Sequence, residues 1–312
     1  MADTPEPPPS SGPPTAAARD GWSPALRRRL DAGREPWPEE LRRALHLAGD
    51  EWPEALPRPV ALEEVRGGWV GTTWRARFDD GTVAIVKRTR FPADGEVDGL
   101  QALAAAGVPV PQVLGSAGRT LVLELVGGPA DWELVGVAIA RMHQVTGPRY
   151  GWHRHNHAGR FVQDNTWSDD WPTFFVDRRV RTHLADPALP ASFRSRLERA
   201  CDGPIHALLP PRPEPSLTHG DLWLGNVVAG RWVVDPEVSF ADRELDLAYM
   251  QLSARNPFPA VFWSAYRSEL AFPDGYLERR TVLELHHRLL QVRHFGASQL
   301  PALDAALRAY GW

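Results

Sequence analysis

The stretch that decides the fold runs from Thr218 to Ala248, THGDLWLGNVVAGRWVVDPEVSFADRELDLA. In it Asp221 stands five residues before Asn226, and Asp235 nine residues after it. Val227-Val228-Ala229, Gly230-Arg231 and Trp232-Val233-Val234 read as a tight β-hairpin, because β-branched residues flank a glycine-containing turn. Such a hairpin predicts Asn226 and Asp235 side by side. Both side chains offer oxygen, the donor that hard Mg²⁺ takes, with phosphates and water completing its shell. Asp221, short of the metal, is placed to accept a proton as general base. Asp, Asn and Gly are also ordinary turn residues. What lifts the stretch above a turn is the order: His219, Asp221, Asn226, hairpin, Asp235.

The spacing resembles the kinase catalytic loop H-R-D-L-x-x-x-N, with Gly220 in place of the arginine and Asp235 placed like the aspartate of D-F-G. Phosphoryl transfer has a loose, negatively charged transition state, so the protein's task is to position a hydroxyl and hold magnesium between phosphate oxygens. A second part of such a site lies far upstream. Of 35 basic residues, 34 are arginine and one is lysine, Lys87. It ends Val83-Ala84-Ile85-Val86-Lys87, similar to the kinase strand V-A-I-K whose lysine holds the α/β-phosphates. Arginine's planar fork cannot mimic a compact ammonium there. Gly67-Gly68-Trp69-Val70-Gly71 lies between expected strands where a phosphate-covering loop would sit, although G-G-x-x-G is also a common turn. Glu96 to Ala106 reads as a helix with Val97, Leu100, Leu103 and Ala104 on one face, offering Glu96 or Asp98 to pair with Lys87. Backbone groups at Glu124, Leu125 and Val126, where a small lobe would join a large one, are candidates for gripping adenine.

Composition bounds the rest. With 312 residues, 43% hydrophobic and 24% charged, the chain can bury one large or two moderate cores. A net charge of −4 gives no reason to expect nucleic acid or an anionic membrane. One cysteine, Cys201, leaves no internal disulfide and suits a reducing compartment as a small packed residue. No apolar run of about 18 residues and no signal pattern occur, so a cytoplasmic enzyme is expected. Residues 1–20, rich in Pro, Ser and Ala, are expected to be a disordered tail. A helical extension over 21–58, a small antiparallel-sheet lobe over 59–127 and a helical lobe over 128–312 carrying the catalytic loop follow. Strands are predicted at Val60–Val65, Val108–Val113 and Thr120–Val126. Helices are predicted at Trp132–Gln144, Asp170–Leu184, Phe193–Leu209, Leu245–Ala254, Thr281–His294 and Leu300–Tyr310. His153, His155 and His157 alternate as metal ligands on a strand can, but among Gly, Asn and Arg they read as solvated. Ala140 to His143 reads as packing and a helix end.

From about Val60 to Tyr310 the chain resembles the fructosamine (ketosamine) kinases, distant relatives of aminoglycoside phosphotransferases and protein kinases. The resemblance is carried by HGDLW-x-GN at His219–Asn226, DPE at Asp235–Glu237 and RE-x-DLA at Arg243–Ala248. Asn156 through Gln163 and Asn165, with WPTFFVDRRV at Trp171–Val180, extend it. It implies an α+β, protein-kinase-like bilobal fold that uses ATP and Mg²⁺ to phosphorylate a sugar hydroxyl, foremost the 3-hydroxyl of a free or protein-bound ketosamine. By motif, Asp221 would be the base, Asn226 and Asp235 the Mg²⁺ ligands, and Lys87 the phosphate holder with Glu96 as its partner. Gly67 and Gly68 would cover the phosphates. Trp223, Gln163, Asn165 and Glu244 would serve the sugar, with His219 and Asp246 as structural support. The family usually has histidine where Asp242 stands, and larger residues at Ala158 and Val162. Those departures bear on the acceptor. Trp69 in the glycine-rich loop, with no cysteine, leaves no thiol switch there. An aminoglycoside-like phosphotransferase with polycationic acceptors is a second reading, and a nucleotide-binding pseudokinase module a third. Retention of Lys87, Asp221, Asn226 and Asp235 together argues against the module.

Overall fold

The computed structural model describes residues 51–65, 71–252 and 257–312. The expected tail, most of the helical extension, and Gly67 and Gly68 lie outside the described residues. By internal contacts the chain divides into a unit running to Asp94 together with Gln112–Leu125, and a second formed by Gly95–Pro111 and Val126–Trp312.

The first unit is a five-stranded sheet of order β1-β2-β3-β5-β4. Its strands, all antiparallel to their neighbours, are β1 (Ala61–Val65), β2 (Thr72–Arg77), β3 (Val83–Arg88), β4 (Val113–Ala117) and β5 (Thr120–Glu124). Alternation along β3 buries Ala84 and Val86 with Trp74, Phe78 and Val122, and Trp52 and Leu56 cap that cluster. Lys87 therefore lies on the other face of the strand, paired in register with Thr73 and Leu121. Residues 51–58, the described end of the expected helical extension, form turns rather than helix, and pack so closely that a Cβ on Gly115 would stand 2.8 Å from Pro53 Cβ. The strand expected at Val108–Val113 starts only at Val113, because Pro109 and Pro111 have no N–H to give a ladder.

The second unit is mainly helical. Helix α1 (Asp94–Ala105) buries Gly99, Leu100 and Leu103, while Ala104, expected on that face, is exposed. After α2 (Trp132–Met142) come the short strands β6 (Asn156–Ala158) and β7 (Phe161–Gln163). Helix α3 (Trp171–Phe175) runs on through a π turn at Val176–Val180 and a 3-10 turn at Arg181–His183. The single helix expected over Phe193–Leu209 is two, α4 (Ala191–Cys201) and α5 (Pro204–Leu208), because Gly203 turns the backbone to φ 152° ahead of a proline. Residues 216–252, which contain the His219–Asn226 motif, supply β8 (Ser216–Thr218), β9 (Val227–Val228), β10 (Trp232–Val233), β11 (Ser239–Ala241) and helix α6 (Glu244–Leu252). Helix α7 (Ala260–Glu269) has no counterpart among the predicted elements. It packs on α2 at Gly136, where a Cβ would stand 2.5 Å from the Phe262 carbonyl. The expected Thr281–His294 helix is divided into α8 (Tyr276–Leu283) and α9 (Leu285–Phe295), and α10 (Leu300–Arg308) closes the chain.

Two apolar clusters hold this unit. One gathers Trp171, Phe174, Phe175, Val180 and Cys201 with the last helices, and burial pushes the Cys201 thiol up to about 11. The other collects Ile139, Met142 and Phe262 with Leu222, Val227, Val233 and Leu247 of the Thr218–Ala248 stretch. Each such buried Leu or Val contributes about 1.5–3 kcal/mol, so the loop's apolar residues anchor its polar ones. Among the described residues no helix is long and apolar enough to cross a membrane.

Candidate active site

The loop after β8 is fixed mostly through its backbone. Asp246 of α6, with no exposed surface, accepts the N–H groups of His219 at 2.7 Å and Gly220 at 2.9 Å. His143, at the end of α2, adds its Nε2 at 3.1 Å and is held by the Tyr266 hydroxyl at 2.9 Å. Burial opposes a charge on Asp246, but the His143 and His219 contacts outweigh it and keep its pKa below the usual carboxylate value. His219 Nδ1 accepts the N–H of Asp221 at 3.1 Å, so its proton is on Nε2, which donates to the Val234 carbonyl at 3.0 Å. Burial lowers the His219 pKa and keeps the ring neutral. That one ring ties the loop to the residue before Asp235.

Gly220 has φ 85°, and a Cβ there would lie 2.4 Å from the Glu237 carbonyl. Only glycine fits where the kinase pattern has arginine. Beyond it, the Asn226 amide nitrogen donates to the carbonyl and to Oδ2 of Asp221, both at 2.8 Å. That leaves Asn226 Oδ1 as its other polar atom. The β9–β10 hairpin pairs Val228 with Trp232 and Val227 with Val233, and Val234 N donates to Asn226 O at 3.0 Å. Asp235 thus comes next to Asn226, and does so at φ 58°, a left-handed conformation that costs a non-glycine residue about 1 kcal/mol. Asp221, half-buried, has its carboxyl pushed up to about 7. Desolvation is the largest cause, the Asn226 and Tyr249 hydrogen bonds oppose it, and the charges of Asp235 and Asp246 add to it. The half-buried Trp223 folds its indole over Gly225, where a Cβ would meet Cη2 at 2.2 Å.

The residues expected around the sugar are placed differently. Asn156 Oδ1 accepts from Gln163 Nε2 and Asn165 Nδ2, both at 3.0 Å, while its own Nδ2 donates to the Val238 carbonyl at 2.9 Å. The buried Arg179 donates to Asn165 Oδ1 at 2.7 Å, Asp164 O at 2.8 Å and Ser239 Oγ at 3.3 Å, and lies over the Phe174 ring. Burial brings Arg179 down to about 9, which still leaves it charged at neutral pH. Glu237 accepts the Gly159 N–H at 3.1 Å, and burial, followed by the charge of Asp221, pushes its carboxyl well up. Gln163 and Asn165 are therefore enclosed in an internal network. Glu244 is enclosed too, gripped by Arg279, whose Nε reaches Oε2 at 2.9 Å. Asp242 receives the Glu244 N–H at 2.9 Å, and burial beside Glu244 pushes it up to about 7.

Lys87 and Glu124 belong to the first unit, and Glu96, Val126 and the rest of the described site residues to the second. The Glu124 N–H is bonded to the Gln112 carbonyl at 2.9 Å. Asp98, the other carboxylate considered for Lys87, takes the Trp152 indole N–H at 2.6 Å and pairs with His153 at 3.2 Å. His155 Nδ1 accepts the Asn165 N–H at 3.1 Å. Tyr249 and His287 are not among the residues expected from sequence, Arg179 enters there only within the Trp171–Val180 motif, and His143 only as packing and a helix end. Tyr249 had a signal, standing three residues after Asp246 and so one helical turn along the same face. The others act across long sequence separations that no spacing rule reaches.

The fold and this loop define a kinase-like phosphotransferase. Residues 57–310 match the description of the fructosamine kinase family, and the chain belongs to that family. A probable ketoamine kinase of Enterococcus faecium is 31% identical over 263 residues, covering 79% of this chain and 94% of its own. The crystal structure of a candidate fructosamine-3-kinase from Thermobifida fusca superposes with a TM-score of 0.72 at 30% identity, over 81% of this chain and 93% of that one. The aminoglycoside phosphotransferase APH(4)-Ia shares the fold, with a TM-score of 0.53 at 16% identity over 88% of this chain and 98% of its own. Membership of a kinase family implies ATP as phosphoryl donor and a sugar amine as acceptor class.

Proposed function

We propose that this enzyme transfers the γ-phosphoryl group of ATP to the 3-hydroxyl of a ketosamine. The observation that carries the reading is the Asp221 carboxyl, pushed up to about 7 and held by Asn226 in a loop that sets Asp235 alongside. A carboxylate with a pKa near neutrality is matched to the work of a general base. Asp221 accepts the sugar hydroxyl's proton as that oxygen bonds to the γ-phosphorus and the bond to the ADP oxygen breaks. Asn226 and Asp235 fit Mg²⁺: the amide nitrogen is engaged by Asp221, leaving one amide oxygen, and Asp235 adds a carboxylate. Two protein oxygens suit an ion that completes its shell with water and phosphates, and bound there it would neutralise phosphate charge. Lys87, steadied by Glu96, would hold the phosphates, Gly67 and Gly68 would cover them, and backbone at Glu124 and Val126 would meet the adenine. Trp223 would line the sugar site. Gln163, Asn165 and Glu244, enclosed as they are, would shape that site from behind rather than touch the sugar. The lone, buried Cys201 suits a reducing cytoplasm.

The test is incubation with Mg-ATP and a panel of free and peptide-bound fructosyl amines, with aminoglycosides in parallel. Phosphate incorporation into the fructosyl amines, lost in Asp221→Asn, is expected. No incorporation by the wild type, or an Asp221→Asn variant as active as the wild type, would sink the reading. Faster turnover of the aminoglycosides would replace the acceptor.

A further inference from the structure

The residues on either side of Asp235 are tied to different parts of the second unit. Ahead of it, the Val234 N–H donates to the Asn226 carbonyl at 3.0 Å, and the Val234 carbonyl accepts His219 Nε2 at 3.0 Å. Behind it, the Glu237 N–H bonds to the His219 carbonyl at 2.8 Å. Gln163 Nε2 reaches the Glu237 carbonyl at 3.2 Å, and Asn156 Nδ2 the Val238 carbonyl at 2.9 Å. Pro236 has no N–H to bond, and it is buried where helix α1 approaches at Gly99. A Cβ on Gly99 would stand 2.8 Å from Pro236 Cγ, 3.2 Å from its Cβ and 3.4 Å from its carbonyl oxygen. One turn earlier, a Cβ on Gly95 would stand 3.6 Å from Asn156 Cβ, an ordinary contact. Helix α1 therefore meets the segment directly at Pro236, and through Asn156 at Val238.

A glycine inside a helix weakens it relative to alanine, so a buried one such as Gly99 calls for a reason. Here the reason is space: any side chain would drive the helix and a stiff proline ring apart. With Val234, Glu237 and Val238 tied, that push falls on the peptide Pro236 shares with Asp235, which already holds φ 58°. We propose that Gly99 is a positioning residue whose bare Cα seats helix α1 against Pro236 and so aims the Asp235 carboxylate at the divalent cation. The inference rests on Asp235 being a Mg²⁺ ligand in the proposed reaction. Residues that orient a metal's ligands commonly change its affinity by about 10–100-fold when they are altered.

The experiment titrates Mn²⁺, a paramagnetic stand-in for Mg²⁺, into the intact chain with ADP and reads bound metal by EPR. The variants are Gly99→Ala, Pro236→Ala, the two combined, and Asp235→Asn, each also assayed for the KM of fructosyl-lysine with Mg-ATP. Gly99→Ala is expected to weaken Mn²⁺ binding about tenfold, with the fructosyl-lysine KM within about threefold of wild type. Pro236→Ala removes the Cγ that the new methyl would meet, so adding Gly99→Ala to it should change Mn²⁺ affinity by less than about threefold. Wild-type Mn²⁺ affinity in Gly99→Ala, beside a loss in Asp235→Asn, overturns the inference and leaves the ligand in place. A loss in Gly99→Ala that persists in full on the Pro236→Ala background also overturns it, because crowding at Pro236 is then not the cause. Wild-type Mn²⁺ affinity in Asp235→Asn overturns the ligand and this inference together.

Discussion

The loop at His219–Asn226 and the middle segment at Asn156–Asn165 are both dense in polar side chains, and they use them oppositely. At the loop, His219 and Asn226, with Asp246 from α6, are engaged largely with backbone groups, and the arrangement leaves the Asp221 carboxyl half-buried with a pKa near 7. In the middle segment Asn156, Gln163 and Asn165, joined by Arg179 from the turn after α3, are linked by hydrogen bonds to one another and to buried carbonyls, so that Asn165 retains no exposed surface. The first region is built to present one group; the second is built to close. A polar residue in a motif can thus belong to the wall of a site rather than its lining.

Several variants break or sharpen that contrast. Asp221→Asn should lower kcat by about 10²–10⁴-fold with little change in folding, measured as phosphate transferred per enzyme alongside a thermal melt. The largest effect in the middle segment should be on stability instead. Arg179→Met leaves Asn165 Oδ1 and three further acceptors without this donor, and should cost about 3 kcal/mol in denaturant unfolding. Asn165→Ala should cost about 1–2 kcal/mol while leaving the acceptor KM within about threefold of wild type. A large rise in KM at unchanged stability would instead mean that Asn165 reaches the sugar.

The pH profile probes the other side of the comparison. With the Asp221 carboxyl at about 7, the proposed base is protonated as pH falls through that value, so log kcat/KM should drop with a slope of about one below roughly pH 7. An acid limb near pH 4, the ordinary carboxylate range, would show that burial does not raise this group. The smallest effect is expected at Val162, which lies in the middle segment but is 62% exposed. Val162→Ala should change stability by less than about 0.5 kcal/mol and leave kcat unchanged.

Much of the fold could be read directly. Strand β3 and its lysine, helices α1 and α2, the core stripe of Trp171, Phe174, Phe175 and Val180, and the β9–β10 hairpin all announce themselves through local periodicity and turn chemistry. The misses have local causes as well. Prolines delayed β4, Gly203 split one predicted helix, and α7 was overlooked among its aromatic residues and the prolines ahead of it. In the site, the order of His219, Asp221, Asn226 and Asp235 was legible, and the family resemblance pointed to Asp246, which accepts the His219 and Gly220 N–H groups.

What the sequence determined by itself was the chemistry that lies within a few residues: a carboxylate five positions before an amide, and a hairpin returning a second carboxylate beside it. Bonds of that range are set by backbone geometry, which residue type and spacing encode. What only the tertiary structure decided was which polar side chains meet across 103 residues, as His143 and Asp246 do, or 60, as Arg179 and Ser239 do, or 67, as His287 and Gly220 do. Those meetings depend on how helices pack through their apolar faces, and no local pattern in a polar residue's own neighbourhood records its distant partner.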